Sequence, residues 1–183
     1  MNKILVLLFL ILSANSGDIN SNQRYMTRQG QVSFFSYTKV ENIEANNNQV
    51  LSIIDLDKNE IAISMLMNAF VFKKALMREH FNESYIESDL YPKAIFEGKI
   101  IDFDATNTTT QTKIVKGKLT IRNITKDVEI KTKIIYQDGA YTLTGDFEVV
   151  VDDYQINIPA ILAPNIAKII SVKFSFELEP YEV

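Results

Sequence analysis

The chain contains no cysteine and no tryptophan, and a single histidine, His80. Without a thiol there can be no disulfide, no thiolate nucleophile, no Cys-ligated zinc and no iron–sulfur cluster. An acylated lipoprotein cysteine is excluded for the same reason. Any Ser-His-Asp triad would have to use His80, and no Gly-x-Ser-x-Gly elbow is present. Phosphate loops and dinucleotide fingerprints are also missing. No long Lys/Arg run stands out, and the formal net charge is −4, so nucleic acid and anionic membrane surfaces are poor partner candidates. These absences argue against an enzyme and against a metal site or resident cofactor.

What remains is a globular composition: 183 residues, 46% hydrophobic and 23% charged. That length suits one domain with a real core. The one long apolar run is Ile4 to Leu12, preceded by Lys3 and followed by Ser13-Ala14-Asn15-Ser16. It is far shorter than the roughly 20 residues a membrane span requires. It reads as a cleavable signal peptide over residues 1–16, with small residues at Ala14 and Ser16 for cleavage after Ser16. Export to a periplasmic or secreted location follows as an expectation, with no integral span in the mature chain. Residues 17–29 are polar and patternless and read as a flexible lead-in, and 30–183 as the folded domain.

Beyond that point the hydrophobic period is two. Val32, Phe34 and Ser36 share one face, as do Ile61, Ile63, Met65 and Met67. The same alternation appears in Val115, Gly117, Leu119 and Ile121, and in Val128, Ile130, Thr132 and Ile134. It returns in Tyr141, Leu143, Gly145, Phe147 and Val149, and in Ile170, Val172, Phe174, Phe176 and Leu178. Each run predicts a strand with one wet and one buried face. Turn signals stand at Asn46-Asn47-Asn48, Asp57-Lys58-Asn59, Asp104 to Thr112, Asp138-Gly139 and Asp152-Asp153. Asp138-Gly139 is the strongest, because a tight hairpin wants positive φ at both central residues. Such a meander either closes into a barrel or stacks as a sandwich.

One segment breaks the period. Residues 73–88 hold no Gly or Pro, and Leu76, Met77, His80, Phe81, Ser84 and Tyr85 recur at helical spacing. That predicts one amphipathic helix, ended before Pro92. Met65, Met67 and Met77, with Phe70, Phe72 and Phe81, form a soft aromatic cluster around this helix. Thioethers and rings adapt to irregular apolar ligands, although each residue singly is as well explained by core filling. Tyr85, Phe34, Phe96, Leu119, Ile121 and Phe147 join them as candidate cavity lining from helix spacing and strand alternation. His80 is a candidate polar handle at the cavity mouth. The competing reading is a structural histidine bonded to a backbone carbonyl. Asp55-Leu56-Asp57 and Asp152-Asp153 read as turn formers, since calcium needs a denser set of oxygens.

Several of these segments, in this order, resemble the YceI-like family. They are Leu76-Met77-Arg78-Glu79-His80-Phe81, Tyr91-Pro92-Lys93-Ala94-Ile95-Phe96, Gly117-Lys118-Leu119-Thr120-Ile121 running to Thr125-Lys126-Asp127-Val128, and Asp153-Tyr154-Gln155-Ile156. The resemblance covers roughly residue 30 to the C-terminus. It implies a mainly β fold: an extended, lipocalin-like antiparallel β-barrel of about eight strands with the helix near one end. It also implies an elongated interior that binds a polyisoprenoid, as the tail of a quinone or an isoprenoid alcohol, with that lipid as ligand rather than cofactor. Family members are held to dimerise, so a homodimer is a further expectation. The stretch Phe34 to Ile43 departs from the family, where a His-Gly and a Gly-x-Phe follow the first strand. Two alternatives stand beside the lipid-binding reading: a filled barrel acting through its surface, and an enzyme working on a lipid held in the cavity.

Overall fold

The computed structural model describes residues 23–181, so the expected signal peptide and the first part of the lead-in lie outside the described residues. The strands are β1 (Arg24–Tyr37), β2 (Asn42–Asp55), β3 (Glu60–Leu66), β4 (Val71–Phe72), β5 (Lys93–Ile100), β6 (Gln111–Ile121), β7 (Ile124–Gln137), β8 (Ala140–Val150) and β9 (Ile169–Pro180). Every pairing is antiparallel, and the order β1-β9-β8-β7-β6-β5-β3-β2 returns to β1 through the β1–β2 pair. The result is a closed eight-stranded barrel, with the two-residue β4 added beside β2. Closure decides between the two architectures that the meander alone allowed, and it leaves no long edge for another chain to pair with.

Alternation sets the walls. Ile61, Phe96, Val115, Leu119, Ile130, Ile134, Leu143 and Phe176 are buried inside. Lysines and acids face water, where Lys116 meets Glu129 at 2.7 Å and Lys118 meets Asp127 at 2.9 Å across the β6–β7 pair. Tight turns follow backbone chemistry. Asp138 (φ 52°) and Gly139 (φ 84°) both take the left-handed conformation between β7 and β8, as that hairpin requires. Arg122 (φ 50°) and Asn123 (φ 60°) make the equivalent turn between β6 and β7. The sequence reading missed that turn, because neither residue is glycine.

Three expectations need correction. The stretch from Arg24 to Gln29 is not a flexible lead-in but the start of β1. It is anchored by the Arg24–Asp55 ion pair at 3.2 Å and by the Tyr181 N–H donating to the Arg24 carbonyl at 2.8 Å. Its pairing is irregular between Thr27 and Val32, so no clean alternation marked it. Asn46-Asn47-Asn48 is likewise not a turn. It lies within β2, where a bulge sets Gly30 opposite Val50 and Val32 opposite Asn47. Asn47 is fully buried there. Its Nδ2 donates to the Leu66 carbonyl at 2.9 Å and its Oδ1 accepts the Gln49 N–H at 2.9 Å. It satisfies backbone groups where β3 parts from β2, a use of Asn that resembles turn chemistry in sequence.

The helix is shorter than 73–88 and changes type. Ala75–Glu79 is α1, and His80–Tyr85 continues it as a π-helical turn. The wider turn carries the Ile86 N–H back to the Phe81 carbonyl at 2.9 Å. Inward positions therefore shift from the regular 3.6 spacing to Met77, Phe81, Tyr85 and Ile86. Leu76, placed on the apolar stripe by spacing, is 56% exposed.

Candidate ligand-binding interior

The barrel axis holds a row of three apolar chambers. The outer one, about 90 Å³, lies under the helix; its walls include Phe34, Ser36, Phe72, Met77, Phe81, Tyr85, Ile156 and Ile170. The middle one, about 120 Å³, is bounded by Phe34, Met65, Met67, Phe70, Phe81, Leu119, Ile121, Phe147 and Val172 among others. The inner one, about 40 Å³, is lined by Met65, Phe96, Leu119, Thr132, Phe147 and Phe174 with their neighbours. Adjacent chambers share walls. Phe34 and Phe81 border both outer and middle spaces. Met65, Leu119 and Phe147 border both middle and inner spaces.

The partition between outer and middle chambers is aromatic. Phe34 and Phe81 stack with centroids 5.4 Å apart, Phe70 and Phe72 stand 5.2 and 5.8 Å from Phe34, and Phe72 lies 5.1 Å from Phe81. Three elements converge to build it: Phe34 from β1, Phe72 from β4, and Phe81 from the π turn. Room between the strands depends on glycine. Gly98 and Gly117 face each other across β5 and β6. A Cβ on Gly117 would lie 2.6 Å from the Phe96 ring and 2.4 Å from the Glu97 carbonyl oxygen. The ring occupies the space that the two missing side chains leave.

No carboxylate, lysine, arginine or histidine lines any of the three chambers. Ser36 and Thr132 are polar members with partners: the Ala167 N–H donates to Ser36 Oγ at 2.8 Å, and Thr132 Oγ1 donates to the Ile130 carbonyl at 3.4 Å. Tyr85 is the titratable group of the lining, and burial raises its pKa. An apolar cavity near 150 Å³ stays dry and accepts a benzene-sized guest. Each larger chamber thus suits about one branched five-carbon unit. The row as a whole suits a flexible hydrocarbon chain better than a compact polar molecule. Two larger hollows, about 330 and 780 Å³, lie on the outside among charged and amide side chains such as Glu41, Lys74, Arg28 and Gln49. They offer no comparable apolar enclosure.

The candidates read from sequence fall as follows. Met65, Met67, Phe70, Phe72, Met77, Phe81, Tyr85, Phe34, Phe96, Leu119, Ile121 and Phe147 all border at least one chamber. His80 borders none. Its ring stands 6.3 Å from that of Tyr85 in edge geometry, on a side of the helix that the π turn carries away from the interior. Sequence reasoning missed Ile86 on the turn, and Ile156, Ile158 and Ile166 in the loop between β8 and β9. The alternation Ile156-Asn157-Ile158 was the available signal for the loop. Among the described residues no group of three or more His, Asp or Glu side chains could hold a metal. No helix among them is long and apolar enough to cross a membrane.

A closed antiparallel barrel with an uncharged, partitioned interior defines a class of small barrels able to enclose an apolar guest. The sequence matches the family model for the YceI-like domain over residues 23–178, and the chain belongs to that family. No curated protein matches it by sequence. Among solved structures it is similar to a polyisoprenoid binding domain from Saccharophagus degradans implicated in plant cell wall breakdown. That likeness has a TM-score of 0.75 and 11% identity, covering 87% of this chain and 99% of that one. BcnA of Burkholderia cenocepacia follows at 0.68 and 16%, covering 81% and 95%. The YceI protein of Campylobacter jejuni gives 0.65 and 13%, covering 80% and 90%. At these identities the likeness speaks for the fold.

Proposed function

We propose that this protein is an exported carrier that holds a polyisoprenoid, or a similar long apolar lipid, along the barrel axis. The ligand would be the tail of a quinone or of an isoprenoid alcohol. The observation that carries the reading is the row of three chambers with uncharged walls. Burying a hydrocarbon chain there recovers about 25 cal/mol per Å² of apolar surface removed from water. The thioethers of Met65, Met67 and Met77 can follow the bends of such a chain. Similarity to a polyisoprenoid binding domain supports the same ligand class, and the expected signal peptide supports action outside the cytoplasm. The lipid is cargo in this reading and undergoes no reaction.

Native mass spectrometry of the mature protein tests it. A mass excess matching an isoprenoid quinone or alcohol is the expected result. A bare polypeptide mass, unchanged after incubation with such lipids, would overturn it. One observation favours a second reading, the filled barrel acting through its surface: the inner chamber is only about 40 Å³. The bare mass would support that alternative.

A further inference from the structure

Antiparallel ladders hold most of the barrel wall, although β7 and β8 pair only between Thr132–Gly145 and Gln137–Ala140. Leu143 and Phe176 wall the inner chamber, and Ile54 and Leu178 are fully buried as well. The outer chamber is covered differently, by two segments outside the ladders. One is the helical segment and its exit, residues 75–92, which contributes Met77, Phe81 and Tyr85 to the wall. The other is the connection 151–168 between β8 and β9, which contributes Ile156 and Ile158.

A single side chain fastens both. Arg122, in the β6–β7 hairpin, donates to the Gln155 carbonyl oxygen at 2.6 Å and pairs with the Glu87 carboxylate. Its guanidinium lies 5.3 Å from the centroid of the Tyr91 ring. The Arg122 side chain is 15% exposed and that of Glu87 36%, so the pair is partly shielded from solvent. The three residues joined in this way share a backbone feature. Arg122, Glu87 and Gln155 have φ of 50°, 55° and 51°, all left-handed, and none is glycine. Arg122 takes this conformation as part of the hairpin turn, and Glu87 and Gln155 take it where a helical turn ends. Glu87 sits just past the π turn, and Gln155 just past the 3-10 turn Val151–Tyr154. These are the points at which each covering segment could swing.

We propose that Arg122 is a latch: it holds the helical segment and the 151–168 connection closed over the outer chamber, and the apolar ligand passes between them when it releases. This rests on the carrier reading for the ligand, but the latch itself is a property of the chain. Glu87 and Gln155 mark the ends of their helical turns, so each covering segment can pivot there when Arg122 lets go.

Hydrogen exchange on Arg122→Gln and the milder Glu87→Gln tests the latch without a ligand. Amides of residues 75–92 and 151–168 should exchange about tenfold faster in Arg122→Gln, and those of 75–92 in Glu87→Gln, with the β6, β7 and β8 ladders unchanged. Unchanged exchange in either variant, or acceleration in Arg122→Gln confined to the hairpin at 120–125 or to one segment, overturns the proposal. Stopped-flow uptake and release of N-phenyl-1-naphthylamine should both speed up several-fold, with affinity nearly constant. A faster release alone would make Arg122 an ordinary binding contact and would also overturn it. Wild-type protein that takes up no probe counts against the carrier reading, and the exchange result then decides the latch by itself.

Discussion

At the scale of single residues, space inside this barrel is set by what glycine omits and what tyrosine keeps neutral. Gly117 has no room for a methyl group, because two of its three nearest obstacles, the Glu97 carbonyl oxygen and Gly98 Cα, are backbone. Gly117→Ala should therefore cost about 1–3 kcal/mol, as overpacking does, and lower the urea midpoint without changing the slope of the transition. Tyr141 and Tyr154 are buried, at 4% and 2% exposure. Desolvation pushes both hydroxyls up to about 12, with Tyr25 and Tyr136 adding to the first and Asp153 to the second. Folding therefore favours their protonated form. Stability from this source is complete below pH 10, where the unfolded tyrosines are neutral too. It should be lost as pH rises from 10 towards 12. Thermal melts at pH 9 and pH 11 check the sign: a midpoint that is unchanged or higher at pH 11 contradicts it. The roles of these residues were only partly readable. Gly117 stood out only as a member of an alternating run, and its partner Gly98 and the ring of Phe96 became apparent only once β5 lay beside β6.

At the scale of elements, the helical segment shows where periodicity misleads. Spacing put Leu76, Met77 and Phe81 on one stripe, yet the π turn leaves Leu76 in water and Phe81 in the aromatic partition. Leu76→Lys should then change stability by less than about 0.5 kcal/mol, whereas Phe81→Ala should cost about 3–5 kcal/mol. Comparable losses in the two variants would mean that both side chains pack alike. The connection between β8 and β9 is fastened on its other side by Ser36 Oγ, which accepts the Ala167 N–H at 2.8 Å. Ser36→Ala leaves that half-buried donor without its partner and should cost about 0.5–1.5 kcal/mol. The loss should appear as faster amide exchange near Ala167. Hairpins were legible where the chemistry was local: Asp138-Gly139 announces its turn, while Arg122-Asn123 does not. The Asn46 to Asn48 bulge was illegible, because the same side-chain hydrogen bonds serve a turn and a bulge equally well.

At the scale of the whole molecule, binding and stability are one measurement. A ligand held only by the folded barrel stabilises it by about 2.7 kcal/mol when present at a hundredfold excess over its Kd. Delipidated protein should melt several degrees lower than protein saturated with an isoprenoid alcohol, and identical melting curves would contradict an occupied interior. The sequence by itself determined the mainly β class, the two-faced alternation of most strands, the single helical interruption and the family, because period-two patterning and local turn chemistry are properties of neighbouring residues. It did not determine closure, the β2 bulge, the π turn or the union of Phe34, Phe70, Phe72 and Phe81 in one partition. Nor did it show that the lone histidine stands outside the chambers while Arg122 joins Glu87 and Gln155. Those features depend on which strands pair and in what register, and residues far apart in the chain meet only when the barrel has closed.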